Sequence, residues 1–578
     1  MTGPAAPKDP EKARPFFYIL KDKDIFGERQ KDGTGIQFIY ESDGRLINSA
    51  QITGNVTDKE ELTLLETVEG FGRLVHSIGV SVETDRPKET AEFVFQMYGK
   101  KDLYGGGTNL TTSLKCDGME HRIYLSDYRW TEDDHVPGQI KILFAAPERM
   151  GKVSVRLFLN DGYEAPPEEE DLFIDMHSEE YCGMISRSLL QLGNPYRIRK
   201  AIEKSKAGKE VTLAYIGGSI TQGAGAIPIH TECYAYKSFQ LFQNRFSTQN
   251  NVRFIKAGVG GTPSELGMIR FDRDVLREGE RPDIVVIEFA VNDEGDETKG
   301  VCYESLVRKV LKLPWKPAVV LLFSVFANDW NLQERLRPVG DLYDLPMVSI
   351  RDAVTPQFSL KCGEGRILSK NQFFYDIFHP NNTGHTIMAD CLQYLFERCD
   401  AAEPARVGTF VEGIMEEQIL SEKLSGPAVI GADFERIFLL DKKNRYVGAE
   451  IRAGSFTSTD IELQSVEMDG NLTQTPEFPY NWMYDGSRPQ MPGFEMEITC
   501  KSLFLIFKDS GETDVGKANV FVNDVYCMTA DPHKNNWLHC NAVLLFWETE
   551  SRSHKVRIAV TEEDRNKKFT ILGFGYTI

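Results

Sequence analysis

The sequence predicts an α/β protein in which a helix-covered parallel sheet sits between two antiparallel β domains. Three observations carry this. Apolar residues alternate with a period of two in the first and last parts of the chain. Continuous apolar runs separated by helically spaced segments fill the middle. At 578 residues the chain exceeds what one hydrophobic core organises, so about two to four domains are expected.

Residues 15–170 read as an N-terminal β-sandwich. In KVSVRLFLND, Val153, Val155, Leu157 and Leu159 share one face and Ser154, Arg156 and Asn160 the other, and Ile78, Val80 and Val82 repeat the pattern. Turn signals such as DGTG (32–35) and YGGGTN (104–109) punctuate it, and the acidic, proline-containing APPEEED (165–171) reads as its exit. Residues 171–205 are expected to form a helical linker. The region 206–403 has four apolar runs, VTLAYIG (211–217), VRFIKAG (252–258), DIVVIEFA (283–290) and AVVLLFSV (318–325). Strands buried on both faces and joined by long crossovers make a parallel sheet. Leu306, Val307, Val310 and Leu311 give one crossover helix its apolar side, and Ile387, Met388, Cys391, Leu392, Leu395 and Phe396 do the same for a last helix. Alternation returns over 404–578 in SLFLIFKD, KANVFVND, KVRIAV and FTILGFGYTI, predicting a second β-sandwich.

A formal net charge of −20 and a pI near 5.1 argue against nucleic acid, an anionic membrane surface or a strongly acidic substrate, and favour a neutral partner. The longest apolar run, AVVLLFSVFA, is too short to span a bilayer. Ten cysteines without any C-x-x-C suggest thiols in a reducing compartment. The opening stretch MTGPAAPKDPEKARPFFYIL has no apolar segment behind a basic one, so a cytoplasmic location is expected. None of the ten histidines has metal-ligand spacing to acids or cysteines; neither metal nor cofactor is expected.

In open parallel sheets functional groups collect beyond the carboxyl ends of the strands. Those positions hold Gly217, Gly218 and Ser219 after the first strand, Gly260 and Gly261 after the second, and Asn292 and Asp293 after the third. YDIFHPNNTGH, before the last helix, adds Asp376 and His379. Taken alone, GGSITQGAG reads as a phosphate-binding turn, as a helix start capped by Ser219, or as a turn presenting a nucleophile. The first lacks G-K-[ST], and G-x-G-x-x-G is not matched from Gly217. The third finds its partners downstream. A serine hydroxyl needs an imidazole to take its proton, the imidazole needs a carboxylate, and a tetrahedral intermediate needs oxyanion donors. The amides of Ser219 and Gly261 and the side chain of Asn292 could supply those donors.

GGSIT, GVGGTPS, EFAVND and DIFHP, in this order, resemble the blocks of the SGNH (GDSL-type) hydrolase family over roughly 206–400. The resemblance implies a flavodoxin-like three-layer α/β/α domain with Ser219 as nucleophile, His379 as base, Asp376 as its orienter, and Ser219, Gly261 and Asn292 as the oxyanion hole. GGSI replaces the GDSL spelling, and Ala290 stands where many members have glycine; both are familiar in the carbohydrate-esterase-like branch. That branch implies removal of acetyl groups from acetylated plant-type oligosaccharides such as xylan or mannan fragments. It also implies flanking sandwiches of jelly-roll type, the second resembling a carbohydrate-binding module, which bind glycan, shape the cleft or bury surface in a homo-oligomer. A short-chain lipid esterase or acyl-CoA thioesterase of the same fold is the alternative substrate reading. A non-catalytic glycan-binding protein is the alternative from another class, and the intact set Ser219, Asp376, His379 argues against it.

Other polar residues read as structural: His385 as a packing or capping histidine, Asp293 as a loop brace, Glu288 as a buried, paired carboxylate, and His230 as a surface residue that could line the cleft. Trp330, Trp482 and Tyr484 are candidate saccharide contacts, with core packing as the competing reading. Trp330 follows the fourth strand, on the edge where the site is expected.

Overall fold

Both faces of the central strands are apolar, and both are buried. In a computed structural model of the chain, which describes residues 12–40, 45–101, 105–168, 170–402, 412–488 and 491–578, the strands Val211–Gly217, Val252–Gly258, Ile284–Glu288 and Ala318–Phe323 pair in parallel. Met347–Ser349 extends the sheet in parallel, and Leu189–Gln191 pairs antiparallel at its edge. The first long strand, Val211–Gly217, lies between the second and the third, so the connections reverse direction there. Leu213, Tyr215, Val286 and Val320 pack into a core with the helices Tyr196–Lys206, Tyr234–Phe246 and Asn382–Ala401. Ala214, Ile216, Val285, Ile287 and Leu321 pack into a second core with Ser264–Phe271, Val301–Leu311 and Gln333–Tyr343. The segment expected as a helical linker carries the edge strand Leu189–Gln191 and is part of this unit. Strands of three residues are too short to show a periodicity.

The N-terminal region holds a four-stranded and a five-stranded antiparallel sheet. Val153, Val155, Leu157 and Leu159 stand opposite Val82, Val80, Ile78 and Val75, and all are buried. Three helices, Arg45–Ile52, Lys59–Leu64 and Val68–Leu74, interrupt the strand pattern. Asp58 caps the second by accepting from the Glu60 and Glu61 amides, and Thr67 caps the third through Gly70.

The expected boundary at 403–404 lies outside the described residues. The helix Glu412–Ser425 packs on the central region through Leu420 and Leu424 and through the Arg197–Glu417 ion pair at 2.9 Å. Beyond it, Phe494–Asp509 pairs with His539–Val560 and Phe569–Thr577 in an eight-stranded antiparallel sheet. Alternate residues of its second half serve two cores. Leu503, Leu505 and Phe507 face the interior of the C-terminal region, whereas Phe504 and Ile506 join the core around the central helix Ser264–Phe271. The C-terminal sheet is thereby fused to the central unit.

All ten cysteines are free thiols. Among the described residues, no helix is long and apolar enough to cross a membrane.

One buried side chain ties the ends of two central strands together. Arg270 is fully buried, donates to Ala257 O at 2.7 Å and Gly217 O at 2.8 Å, and pairs with Asp274 at 3.0 Å. Removing one partner of a buried ion pair leaves an uncompensated charge. Arg270→Met is therefore expected to lower the unfolding free energy by about 3–5 kcal/mol, read from denaturant midpoints.

Candidate active site

The site begins with crowding at the end of Val211–Gly217. A methyl group at Gly217 would lie 2.2 Å from Thr221 Oγ1 and 2.5 Å from Glu288 O. At Gly218 it would lie 2.3 Å from Asn292 Oδ1, and at Gly258 2.0 Å from Gln222 N. Only glycines let the three backbones approach this closely. The chain turns there and enters the short helix Ser219–Gln222, which puts Ser219 on the carboxyl edge of the sheet.

His379 reaches the same point from the loop before Asn382–Ala401. Its Nε2 is 3.0 Å from Ser219 Oγ, and its Nδ1 is 2.9 Å from Asp376 Oδ2 and 3.0 Å from Oδ1. The carboxylate is itself fixed, because Oδ1 accepts from the amides of Phe378 (2.8 Å) and His379 (2.9 Å). Burial acts to raise the Asp376 pKa, but the His379 ring and these N–H bonds outweigh it and hold the group at about 2. An ionised carboxylate only accepts, so Nδ1 carries the ring proton and Nε2 is left to accept from the Ser219 hydroxyl.

Three donors border Ser219. The Asn292 side chain lies against Gly218, and a methyl group at Gly260 would lie 3.8 Å from Ser219 Cβ. Among the described residues, the amides of Ser219 and Gly261 and the Nδ2 of Asn292 have no protein acceptor. Gly261 has φ +72°, in the left-handed region, and a side chain there would meet the Trp537 ring at 2.7 Å.

Residues 215–387 match the GDSL-like lipase/acylhydrolase family. The central domain is a GDSL-like acylhydrolase. A solved two-domain esterase active on acetylated mannans aligns over 68% of this chain and 98% of its own, with 23% identity and a TM-score of 0.54. The same esterase co-crystallised with mannopentaose aligns over the same shares, with 23% identity and a TM-score of 0.53. An acetylxylan esterase from Geobacillus stearothermophilus aligns over 34% of this chain and 97% of its own, with 18% identity and a TM-score of 0.26. Comparison with curated proteins gives no match.

The central domain supplies aromatic surface beside His379. Trp330 is half-buried and stacks on Phe326 at 5.7 Å, and Phe326 meets the exposed Phe378 edge-on at 5.1 Å, next to His379. Trp482 and Tyr484 are not part of this surface, contrary to expectation. They are 5% and 3% exposed, on the inward face of one strand. Trp482 packs on Phe494 at 5.4 Å and Tyr484 on Phe456 at 5.7 Å, while the Tyr484 hydroxyl donates to Arg565 O. The Tyr484 hydroxyl thus satisfies an internal partner rather than a ligand.

The C-terminal region instead contributes residues that the sequence did not single out. Trp537, 45% exposed, stands over Gly261. His539 Nε2 is 3.0 Å from Gly261 O, and Gln464 Nε2 donates to Gly260 O at 2.9 Å. The one sequence signal was the aromatic and polar composition of HKNNWLH (533–539).

His385 and His230 differ in role. His385 is fully buried, accepts from Tyr234 N and donates to Ala224 O, both at 3.1 Å, and burial depresses its pKa to about 3. It is a neutral structural ring. His230 is half-buried, and its Nδ1 has no partner among the described residues.

Glu288, Asp293 and Glu265 are buried carboxyls behind this edge of the sheet. Glu288 accepts from Thr221 Oγ1 at 3.0 Å, Asp293 from Ser264 N at 2.7 Å, and Glu265 from Thr298 N at 2.7 Å. Burial raises their pKa values to about 7, 8 and 7. Unfolded carboxyls lose their protons near pH ~4. Between that pH and about 8 the folded state holds more protons than the unfolded state, so raising the pH removes stability. The denaturant midpoint is expected to fall between pH 5.5 and 8.5, and Asp293→Asn to flatten the fall.

Proposed function

We propose that the protein is a serine esterase that removes small acyl groups, acetyl above all, from a neutral saccharide. The observation that carries the reading is the chain of contacts from Ser219 Oγ through the His379 ring to Asp376, at 3.0 and 2.9 Å, beside three free donors. Ser219 Oγ attacks the ester carbonyl while His379 Nε2 takes its proton. Asp376 stabilises the resulting imidazolium. The amides of Ser219 and Gly261 and the side chain of Asn292 receive the oxyanion. His379 returns the proton to the leaving sugar hydroxyl, and a water deprotonated by the same nitrogen hydrolyses the acyl-enzyme.

The saccharide part of the reading rests on the flanking surfaces. Trp537 on one side and Trp330 with Phe378 on the other offer flat apolar faces next to the triad, as sugar rings require. The net charge of −20 disfavours anionic acyl carriers such as coenzyme A thioesters. The solved esterase that shares its fold acts on acetylated mannans, which makes mannan fragments, with xylan fragments, the first substrates to try.

Ser219→Ala is expected to lower kcat by roughly 10³-fold or more, and Asn292→Ala by about 10²–10³-fold. The assay would compare aryl acetate, longer aryl acyl esters, and acetylated mannan and xylan oligosaccharides by acid release. Full activity in Ser219→Ala overturns the mechanism. Faster turnover of long-chain esters than of acetyl overturns the substrate reading alone. Trp537→Ala should raise KM for the acetylated oligosaccharide roughly threefold to tenfold, and by less for aryl acetate.

A further inference from the structure

The peptide unit joining Gly260 to Gly261 carries one of the three free donors, and its opposite edge is held from the C-terminal region. We propose that Gln464 and His539 are positioning residues that fix the Gly261 amide toward Ser219, so that the C-terminal region is a working part of the catalytic centre. This rests on the serine-esterase reading above.

A trans peptide points its C=O and N–H in opposite directions. Gln464 Nε2 donates to Gly260 O at 2.9 Å, and this bond turns the Gly261 N–H, in the same plane, to the other side. On the next peptide unit, His539 Nε2 donates to Gly261 O at 3.0 Å. Both anchors are themselves held. Gln464 Oε1 accepts from Cys540 N at 2.9 Å, which sets the orientation of its amide. His539 Nδ1 is 3.1 Å from Asp509 Oδ2. Gly261 O can only accept, so Nε2 is the donor in that contact. Gln464, His539 and Asp509 are 7%, 6% and 0% exposed, whereas Gly261 itself is open to the cleft.

The need for these anchors follows from the glycines. Close packing against Trp537 and His539, together with a positive φ, excludes any side chain at Gly261. A methyl group at Gly260 would lie only 3.0 Å from Gln222 Oε1. Two successive glycines leave the peptide plane between them with little steric barrier to rotation. A rotated plane would present a carbonyl to the oxyanion in place of an amide. Hydrogen bonds from Gln464 and His539 do what side-chain bulk does elsewhere, and the bond to the Gly260 carbonyl also polarises the amide it orients. Gly260 N, bonded to Gln222 Oε1 at 3.0 Å, closes the third side, and Gln222 Nε2 in turn donates to Glu467 at 3.0 Å.

The test uses the full-length chain and aryl acetate, a substrate too small to reach a glycan surface. Gln464→Glu keeps an acceptor for Cys540 N and replaces only the donor facing Gly260 O; Gln464→Met removes the donor without adding charge. Both are expected to lower kcat about 10–10²-fold, a partial form of losing an oxyanion donor, with KM within about twofold of wild type. His539→Leu should do the same, and His539→Gln, which keeps an N–H donor, should recover most of the rate. Thermal unfolding identifies variants that fold, and the His539 pair decides the matter if neither Gln464 variant does. Folded donor-less variants with kcat within twofold of wild type, or with the loss entirely in KM, overturn the proposal. If Ser219→Ala is inactive while these variants are unimpaired, only the positioning role fails. If Ser219→Ala is as active as wild type, the serine-esterase reading fails.

Discussion

The close approach of three backbones at the carboxyl edge of the central sheet governs the rest of the structure. Val211–Gly217 is paired on both sides, so its exit turn must pass between the ends of Val252–Gly258 and Ile284–Glu288. Space there admits no side chain at Gly217, Gly218 or Gly258. That restriction sends the chain sharply upward into Ser219 and brings the loops bearing Gly261 and Asn292 alongside it. The buried Arg270 guanidinium holds the carbonyls of Gly217 and Ala257, so the two strand ends are fixed before either loop departs. The arrangement of Ser219, His379 and Asp376 at this edge follows from the backbone first and from side-chain chemistry second.

Polar groups under the edge carry a cost that the fold distributes. Glu288, Asp293 and Glu265 are buried with carboxyls held toward their neutral forms, each bonded to a hydroxyl or amide of a neighbouring segment. Carboxyls shifted toward the neutral form brace these segments with less buried negative charge than ordinary carboxylates would bring. Asp376, by contrast, stays ionised because the His379 ring and two backbone amides face it.

Much of this was legible in the sequence where the signal was local. Continuous apolar runs marked the parallel strands because two-sided burial leaves no polar alternation, and D-x-x-H placed Asp376 and His379 within one turn. The helices between Arg45 and Leu74 were not legible, because they sit inside a stretch read as strands and announce themselves only by the caps at Asp58 and Thr67. SLFLIFKD was read as one strand with one buried face, yet Phe504 and Ile506 are buried as fully as Leu503 and Leu505. Trp482 and Tyr484 misled because an aromatic ring with a polar handle suits a core as well as a sugar. Gln464 and His539 lie 204 and 278 residues from the carbonyls they bond. No spacing rule within one strand or helix reaches that far.

The fusion of the C-terminal sheet to the helix Ser264–Phe271 bears on the order in which the molecule comes into being. During synthesis Ser219, Asp376 and His379 are all present once His379 has been added. The carbonyls of Gly260 and Gly261 acquire their partners only after Gln464 and His539 follow, and the apolar face of that helix stays uncovered until Phe504 and Ile506 arrive. A growing chain that has already made every reactive group therefore still lacks the completed turn beside them. Residues from the C-terminal region thus complete the turn beside Ser219.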